Sequence, residues 1–237
     1  MQTPDVPSLR EIAARAGCAV VLDATIGTPH NVAVLDHADV VCESLTKYAT
    51  GSADVLMGAA VVNPVSPLAE TLRRAIPARG EAPYHRDAAR VAERIAGYRE
   101  RMRRVNANTM ALVDFFTGQP AVERVHWAYQ AASAEHYRRV EITPDAPGGL
   151  LLLSLRVPLE RVYDRLAVAK GPSFGAEFTM AAPQVFIAHF DLLSTAAGRD
   201  TLENYGLHRD MLRVSVGMEP SDEIAAWFGD VFEGVGR

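Results

Sequence analysis

Continuous runs of apolar residues punctuate the first quarter of the chain, and polar residues follow each run. Three such runs lie at 18–22, 38–42 and 56–62. Apolar runs without polar alternation are typical of strands that are buried on both faces. Because the connections between them are too long for hairpins, the pattern predicts an α/β sheet whose ligands bind beyond the carboxyl ends of the strands.

A helix is predicted ahead of the first run. Ser8 is followed three residues later by Glu11, which has the form of a capping box and indicates a helix start. We expect the helix to cover about 8–16 and to end at Gly17, since glycine readily adopts the left-handed conformation that follows a helix.

Apolar residues at helical spacing predict a long helix across the middle of the chain, from about 84 to 116 with a break near 106–108. The spaced residues are Val91, Ile95, Tyr98, Met102, Val105, Leu112 and Phe116. The same stretch carries five arginines, at positions Arg94, Arg99, Arg101, Arg103 and Arg104. A basic stripe of this kind could bind phosphate, but the interpretation that we favour is a solvated or salt-bridged helix face.

The pattern changes after Pro120, where short apolar runs alternate with helical stretches. The predicted strands are 122–127, 150–155, 166–169 and 212–216, and the predicted helices are 158–165, 195–205 and 221–232. Short strands mixed with helices indicate an α+β domain. We therefore expect a first domain at 1–83, a linking helix at 84–118 and an α+β C-terminal domain at 119–237.

Composition narrows the classes of function. A net charge of −5 and a pI near 5.8 argue against a nucleic-acid or acidic-membrane surface. No apolar run is long enough for a membrane span, and we expect a soluble protein of the cytoplasm. Cys18 and Cys42 fall in predicted strands and are expected to be buried as small apolar residues. The seven histidines show no metal-binding spacing.

Amine chemistry has only two candidates, because the chain holds two lysines, Lys47 and Lys170, against 22 arginines. Lysine forms Schiff bases with aldehydes, whereas the arginine guanidinium cannot be deprotonated to do so. Lys47 follows an apolar run and two hydroxyl residues, Ser44 and Thr46. The carboxylate of Asp23 stands just past another apolar run, and an anion in that position suits the ring nitrogen of pyridoxal phosphate. The alternative for Lys47 alone is a solvated lysine after a strand.

Several segments together resemble the Cys/Met-metabolism pyridoxal-phosphate enzymes, a family that includes cystathionine γ-synthases and cystathionine and methionine lyases. They are Asp23-Ala24-Thr25, Ser44-Leu45-Thr46-Lys47-Tyr48 with Gly51 and Asp54 behind it, and Leu212-Arg213-Val214-Ser215-Val216-Gly217-Met218-Glu219. The resemblance implies the type I fold of pyridoxal-phosphate-dependent transferases. Residues 1–83 would form the C-terminal portion of its large domain, with a mostly parallel sheet.

The resemblance also implies roles for individual residues. Lys47 would hold the cofactor and then move protons, and Asp23 would pair with the ring nitrogen. Ser44 and Thr46 would donate hydrogen bonds to the cofactor phosphate. Thr25 corresponds to a threonine packed against the ring, although a β-branched loop residue is an equally simple explanation.

Two residues of the C-terminal part resemble the family's substrate-binding residues. Arg213 matches an arginine that clamps the substrate α-carboxylate, a geometry suited to the two-pronged guanidinium. The alternative is an arginine at a domain edge with its charge in solvent. Ser173 matches a serine near the same carboxylate.

The resemblance implies a reaction at Cβ or Cγ of an amino acid. The segment 170–180 is similar to fungal-type cystathionine γ-synthases, which favours γ-replacement on an O-acylated homoserine-like substrate. The other reaction considered is β- or γ-elimination that releases a thiol. Ala24 and Ser52 depart from the family's usual asparagine and histidine, which would suit a specialised substrate.

The family's N-terminal part has no counterpart in this sequence. We expect a separate polypeptide to supply it, so that the chain works in a hetero-oligomer; a truncated protein fits nearly as well. The hypothesis from a different class is a non-catalytic structural or regulatory half of such an assembly.

Overall fold

The computed structural model describes residues 2–78, 82–130 and 132–235, which form two compact units. The first unit comprises Gln2–Arg103 and Ala128–Gly148, and the second comprises Arg104–Trp127 with the described residues from Gly149 onward. The segment 128–148 therefore packs with the first unit. This division differs from the domain bounds expected from the sequence, 1–83, 84–118 and 119–237, which stay a prediction.

The sheet of the first unit has three strands, β1 (Val21–Asp23), β2 (Val40–Ser44) and β3 (Gly58–Val62), in that spatial order. β1 and β2 are parallel, as expected, with Asp23 paired to Cys42. β3 runs antiparallel to β2, although the sequence favoured a mostly parallel sheet. The predicted α/β class is confirmed, and the direction of β3 is the difference within it.

Burial of the first strand differs from the prediction. Val21 is 61% exposed on β1, and Val61 is 51% exposed on β3. Cys18 lies before β1 and is exposed, while Cys42 is only half-buried. The prediction that both cysteines lie in the core was therefore wrong. A strand is buried on both faces only when other elements cover it, and among the described residues β1 has a strand partner on one side alone.

The first helix begins earlier than its sequence signature indicated. α1 spans Val6–Ala16, and its N-cap is Asp5, whose carboxylate accepts hydrogen bonds from the Ser8 amide at 3.4 Å and the Ser8 hydroxyl at 2.7 Å. The predicted capping box at Ser8 was thus wrong. The predicted end of the helix at Gly17 is confirmed, since Gly17 has a left-handed φ of 67°.

The central helical stretch is interrupted near its start. α2 (Ala69–Ala78), which the sequence did not predict, precedes α3 (His85–Arg94), a 3-10 turn (Ile95–Gly97) and α4 (Tyr98–Thr117). The break expected near 106–108 was misplaced, because Asn106 and Asn108 are buried within the continuous α4. No helix of the described part of the chain is long and apolar enough to cross a membrane.

The second unit is built on a five-stranded sheet with the spatial order β4-β5-β8-β7-β6. Its strands are β4 (Val122–His126), β5 (Leu150–Leu155), β6 (Ala169–Lys170), β7 (Met180–Pro183) and β8 (Met211–Ser215). β4, β5 and β8 confirm the predicted strands. The strand predicted at 166–169 was largely wrong, since β6 shares only Ala169 with it. β7 was missed because its four residues end in a proline and give too short a pattern.

Helices cover the sheet of the second unit and make it α+β, as expected. They are α6 (Leu159–Tyr163), α7 (Gln184–Ala188), α8 (Phe190–Leu193), α9 (Ala196–Asn204) and α10 (Ser221–Val235), while α5 (Ala134–Arg138) belongs to the first unit. One face of the sheet presents Leu151, Leu153, Leu212 and Val214 to the core, together with Phe116 of α4 and Phe228 of α10. Since side chains alternate along a strand, Arg213 lies on the opposite face.

Candidate functional site

The carboxyl ends of β1 and β2 meet at one edge of the first unit's sheet. Asp23 and Ser44 are the last residues of the two parallel strands. Asp23, Ser44 and Thr46 line one open cavity of about 670 Å³. The strand pattern led us to expect Asp23 and residues 44–47 at one pocket. The structure brings Asp23, Ser44 and Thr46 together there, and Lys47 is not among the lining residues; the roles of all these residues stay predictions.

Thr25 joins the two loops that border this cavity. Its own amide donates to Asp23 Oδ1 at 2.8 Å, and its hydroxyl accepts a hydrogen bond from the Ser44 amide, also at 2.8 Å. Thr25 is buried, with 6% exposure. The sequence suggested ring packing or a simple β-branched loop residue for Thr25, and it gave no sign of this hydroxyl contact.

Lys47 lies in a π-helical turn, Leu45–Ala49, directly after β2. The backbone leaves helical geometry at Lys47, with φ −90° and ψ −128°. The Gly51 amide donates to the Lys47 carbonyl at 2.9 Å, and Gly51 has a φ of 67° that favours glycine. The turn therefore places a half-buried lysine immediately after Thr46 of the cavity wall.

Thr46 is held against the start of β3. Its hydroxyl accepts a hydrogen bond from the Met57 amide at 3.2 Å and donates one to the Met57 carbonyl at 3.4 Å. A hydroxyl oxygen has two lone pairs and one hydrogen. Both bonds tie Thr46 to Met57, and its one hydroxyl hydrogen would have to leave the Met57 carbonyl to donate to a ligand in the cavity.

Two arginines of the supposed basic stripe bind the backbone behind the lysine turn. Arg101 is only 4% exposed, and its Nη1 donates to the carbonyls of Tyr48 at 3.1 Å and Ala49 at 3.2 Å. Arg94 Nε donates to the Thr50 carbonyl at 2.7 Å. The interpretation of a solvated or salt-bridged face fits Arg103, which pairs with Glu100 at 2.6 Å on the surface, but it was wrong for Arg101.

The sequence does carry a signal for Arg101. It stands three residues after Tyr98 and four before Val105, both of which are buried. That spacing places Arg101 on the apolar face of α4. An arginine on an apolar face is a candidate for a structural hydrogen-bonding role.

A half-buried carboxyl, that of Glu43, also lines this cavity. Glu43 of β2 accepts a hydrogen bond from the Tyr98 hydroxyl, and His30 packs edge-on against the Tyr98 ring with centroids 4.5 Å apart. Burial raises the pKa of the Glu43 carboxyl; the Tyr98 hydrogen bond opposes this rise, and the charge of Asp23 adds to it. The pKa of Tyr98 is also raised, by burial and by the Glu43 charge. Sequence analysis did not single out this pair.

Arg213 is held by backbone carbonyls in the second unit. Its Nη2 donates to the carbonyls of Pro172 at 2.7 Å and Ser173 at 2.8 Å. Its guanidinium carbon lies 5.8 Å from the centroid of the Phe174 ring. Arg213 and Ser173 therefore lie together, as expected, and Ser173 contributes its carbonyl to the contact.

The loop that holds Arg213 is tied to the end of the C-terminal signature. Glu219 accepts hydrogen bonds from the Thr179 amide at 2.6 Å and the Thr179 hydroxyl at 3.0 Å. Asn108 of α4 donates to the carbonyls of Gly217 at 3.0 Å and Glu219 at 2.7 Å. A Cβ at Gly217 would lie 2.5 Å from the backbone of Phe178 and Thr179, so the close approach requires glycine.

The donor set of the first unit fits pyridoxal phosphate. A lysine amine, a carboxylate at a strand end and two hydroxyls of the cavity wall are the groups that an aldehyde, a ring nitrogen and a phosphate need. Within the described ranges, no cluster of three or more histidine, cysteine or acidic side chains could hold a metal ion.

The chain is similar to known enzymes along its whole length. Residues 1–233 match the family described as Cys/Met metabolism PLP-dependent enzyme. The L-2-amino-4-chloropent-4-enoate dechlorinase/desaturase of Streptantibioticus cattleyicolor is 68% identical over 236 residues, which cover 100% of this chain and 47% of that protein. The cystathionine gamma-synthase of Neurospora crassa is 36% identical over 224 residues, which cover 93% of this chain and 35% of that protein.

Solved structures agree with these sequence relatives. A cystathionine gamma lyase from Micromonospora echinospora superposes with a TM-score of 0.86 at 26% identity, covering 98% of this chain and 61% of that one. The chain thus spans about half the length, or less, of the curated relatives named above. With the match to the family pattern over residues 1–233, the chain belongs to the Cys/Met metabolism enzyme family, whose members use pyridoxal phosphate as their cofactor.

Proposed function

We propose that this chain is the lysine-bearing part of an enzyme that eliminates a γ substituent, namely chloride, from an unsaturated 2-amino acid. The observation that carries the chemistry is the cavity lined by Asp23, Ser44 and Thr46, with Lys47 as the next residue. The substrate class rests on the 68% identity to a relative named for 2-amino-4-chloropent-4-enoate.

Each residue of the candidate site in the first unit would have its own role. The Lys47 amine would hold the cofactor and then carry protons from and to the substrate carbons. The Asp23 carboxylate would keep the ring nitrogen protonated, because a nearby anion favours the charged form. Pyridoxal phosphate, when bound, supplies an electron sink for charge that develops at Cα. Ser44 and Thr46 would bind its phosphate.

Arg213 would bind the substrate α-carboxylate. Its Nη2 is already occupied by two backbone carbonyls, and these fix the plane of the guanidinium. Because both N–H groups of Nη2 are used in this way, a two-pronged contact requires the substrate carboxylate to displace one of these carbonyls. The guanidinium can then present two parallel N–H groups, which a lysine cannot.

The leaving group makes elimination the simpler reaction. Chloride leaves with both electrons of the carbon–chlorine bond and needs no proton, while a thiolate or alkoxide is a stronger base and benefits from a general acid. A proton lost from the substrate carbon skeleton balances the chloride. The product then has one more degree of unsaturation, which agrees with both words of the relative's name.

A second candidate is γ-replacement on an O-acylated homoserine-like substrate, the reaction that the sequence favoured. The 36% identity to a cystathionine gamma-synthase supports it. Incubation of each substrate with and without cysteine separates the two reactions, since only replacement consumes the thiol.

The rest of the active site would come from residues outside this chain. β1 has no described strand partner on its outer edge, and Leu56, Val21 and Val61 leave much of their apolar surface exposed. We propose a separate polypeptide in a hetero-oligomer as their cover. Co-expression with a candidate partner and measurement of mass in solution test this, and a well-folded chain that is active without any partner would contradict it. A non-catalytic half is the alternative from another class.

Mass spectrometry after borohydride reduction of the protein as purified from cells tests the enzyme proposal. We expect a phosphopyridoxyl adduct on Lys47, which Lys47→Ala removes together with chloride release from 2-amino-4-chloropent-4-enoate. Lys170→Ala is the matched control, because Lys170 is exposed and, among the described residues, contacts local groups, the Asp164 carbonyl at 3.2 Å and the Tyr163 ring. Full activity of the Lys47→Ala protein would overturn the proposal.

A further inference from the structure

The carbonyl groups of the lysine turn are bonded one after another along the backbone. Thr50 Oγ1 donates to the Leu45 carbonyl at 2.9 Å, and the Gly51 amide donates to the Lys47 carbonyl at the same distance. The carbonyls of Tyr48 and Ala49 accept from Arg101. Arg94 completes the series at the Thr50 carbonyl. The three carbonyls that follow Lys47 are thus all bound by guanidinium groups.

The buried carbonyls of the lysine turn require hydrogen-bond donors. Tyr48, Ala49 and Thr50 are each at most 1% exposed, and a buried carbonyl without a donor is costly. The carbonyls at the end of a helical turn also carry a partial negative charge. A guanidinium satisfies both requirements, since it is always charged and presents several N–H groups in a rigid plane.

The turn depends on support from outside itself. The backbone leaves helical geometry at Lys47, so the regular bonding of a longer helix does not hold this residue. Arg101 reaches the turn from a position 53 residues along the chain from Tyr48, and it is anchored on α4 between the buried Tyr98 and Val105. Because Arg101 is fixed on a long helix, its hydrogen bonds restrict the movement of the turn.

We infer that Arg101 is a positioning residue that sets the direction of the Lys47 amine by holding the carbonyls of the two residues after it, with Arg94 as a second support. This inference rests on the proposed function, since it concerns the lysine that would bind the cofactor. Arg101 itself touches neither the cofactor nor the substrate in this role; it acts through the backbone.

The test compares Arg101→Met with Arg103→Met, two replacements two positions apart on the same helix. Arg103 is exposed and pairs with the surface carboxylate of Glu100, so its loss leaves the turn intact. Hydrogen exchange of the peptide over 45–51 is measured without added cofactor. We expect exchange to rise about tenfold or more in Arg101→Met and to stay at the wild-type rate in Arg103→Met.

A second readout follows the lysine itself. Each protein is incubated with pyridoxal phosphate, the visible circular dichroism per bound cofactor is recorded, and the Lys47 adduct is then trapped with borohydride. Arg101→Met should give a several-fold lower adduct yield and a weaker dichroism band, because the amine no longer has one fixed direction. Arg101→Lys keeps the charge without the planar fork, and we expect it to restore both signals in part.

The outcomes separate the two proposals. If wild-type protein purified from cells together with its partner forms no Lys47 adduct, the proposed function fails, and the exchange measurement still decides the role of Arg101. If Arg101→Met matches wild type in exchange over 45–51, the inference is overturned. Should Arg101→Met fail to fold, Arg101→Lys decides: wild-type exchange and dichroism with lysine at this position would overturn the inference, and faster exchange over 45–51 with a weaker band would support it.

Discussion

Replacing Thr25 by valine isolates one hydrogen bond of the candidate cofactor site. Valine keeps the β-branch and nearly the volume of threonine but removes the hydroxyl that accepts from the Ser44 amide at 2.8 Å. Serine does the opposite, since it keeps the hydroxyl and loses the methyl group. The pair of variants therefore separates a hydrogen-bonding role of Thr25 from a purely steric one.

The expected magnitude follows from the burial of the two partners. Thr25 is 6% exposed and Ser44 is half-buried, so the stranded amide costs about 1–2 kcal/mol, the lower part of the range for a buried unsatisfied donor. That corresponds to roughly 5–30-fold faster exchange of the Ser44 amide. Thr25→Ser loses a buried methyl group, also worth about 1 kcal/mol, so global stability alone does not distinguish the variants.

Residue-resolved hydrogen exchange at Ser44 is therefore the deciding assay. We expect fast exchange in Thr25→Val and near-wild-type exchange in Thr25→Ser, with the trapped yield of the Lys47 adduct lower in the valine variant alone. Equal exchange at Ser44 in wild type and Thr25→Val would refute the reasoning and return Thr25 to the β-branched loop residue that the sequence equally allows.

Two further predictions concern the neighbouring charges. Glu43→Gln should stabilise the protein near neutral pH: burial raises the folded pKa of Glu43 above its ordinary 4.5, so the wild type loses stability as pH rises from about 4.5 through the folded value. Urea unfolding of both proteins should therefore converge at acid pH and diverge towards pH 7, and a constant difference would contradict the raised pKa. Arg213→Lys should weaken amino-acid binding by about 1.5–3 kcal/mol while cofactor binding is unchanged, because an ammonium replaces one prong of a two-pronged contact; calorimetric titration with substrate measures this, and an unaltered affinity would argue against the clamp.

The sequence by itself determined those positions of the site that follow from the local order of apolar and polar residues. Polar groups follow apolar runs at Asp23 and Ser44, and that local order is enough to place both at the carboxyl ends of strands. The same holds for Lys47 after β2. In the C-terminal part, the strand predicted at 212–216 matches β8, which carries Arg213.

Tertiary structure decided the contacts between residues far apart in the chain. Tyr98 bonds Glu43 from 55 positions away, and Arg101 bonds Tyr48 from 53. An apolar run likewise does not reveal whether other elements cover it, which is why β1 is exposed despite its composition. Hydrophobic pattern and turn chemistry act over a few residues, whereas burial, pKa shifts and hydrogen bonds across the fold depend on which segments the folded chain brings together.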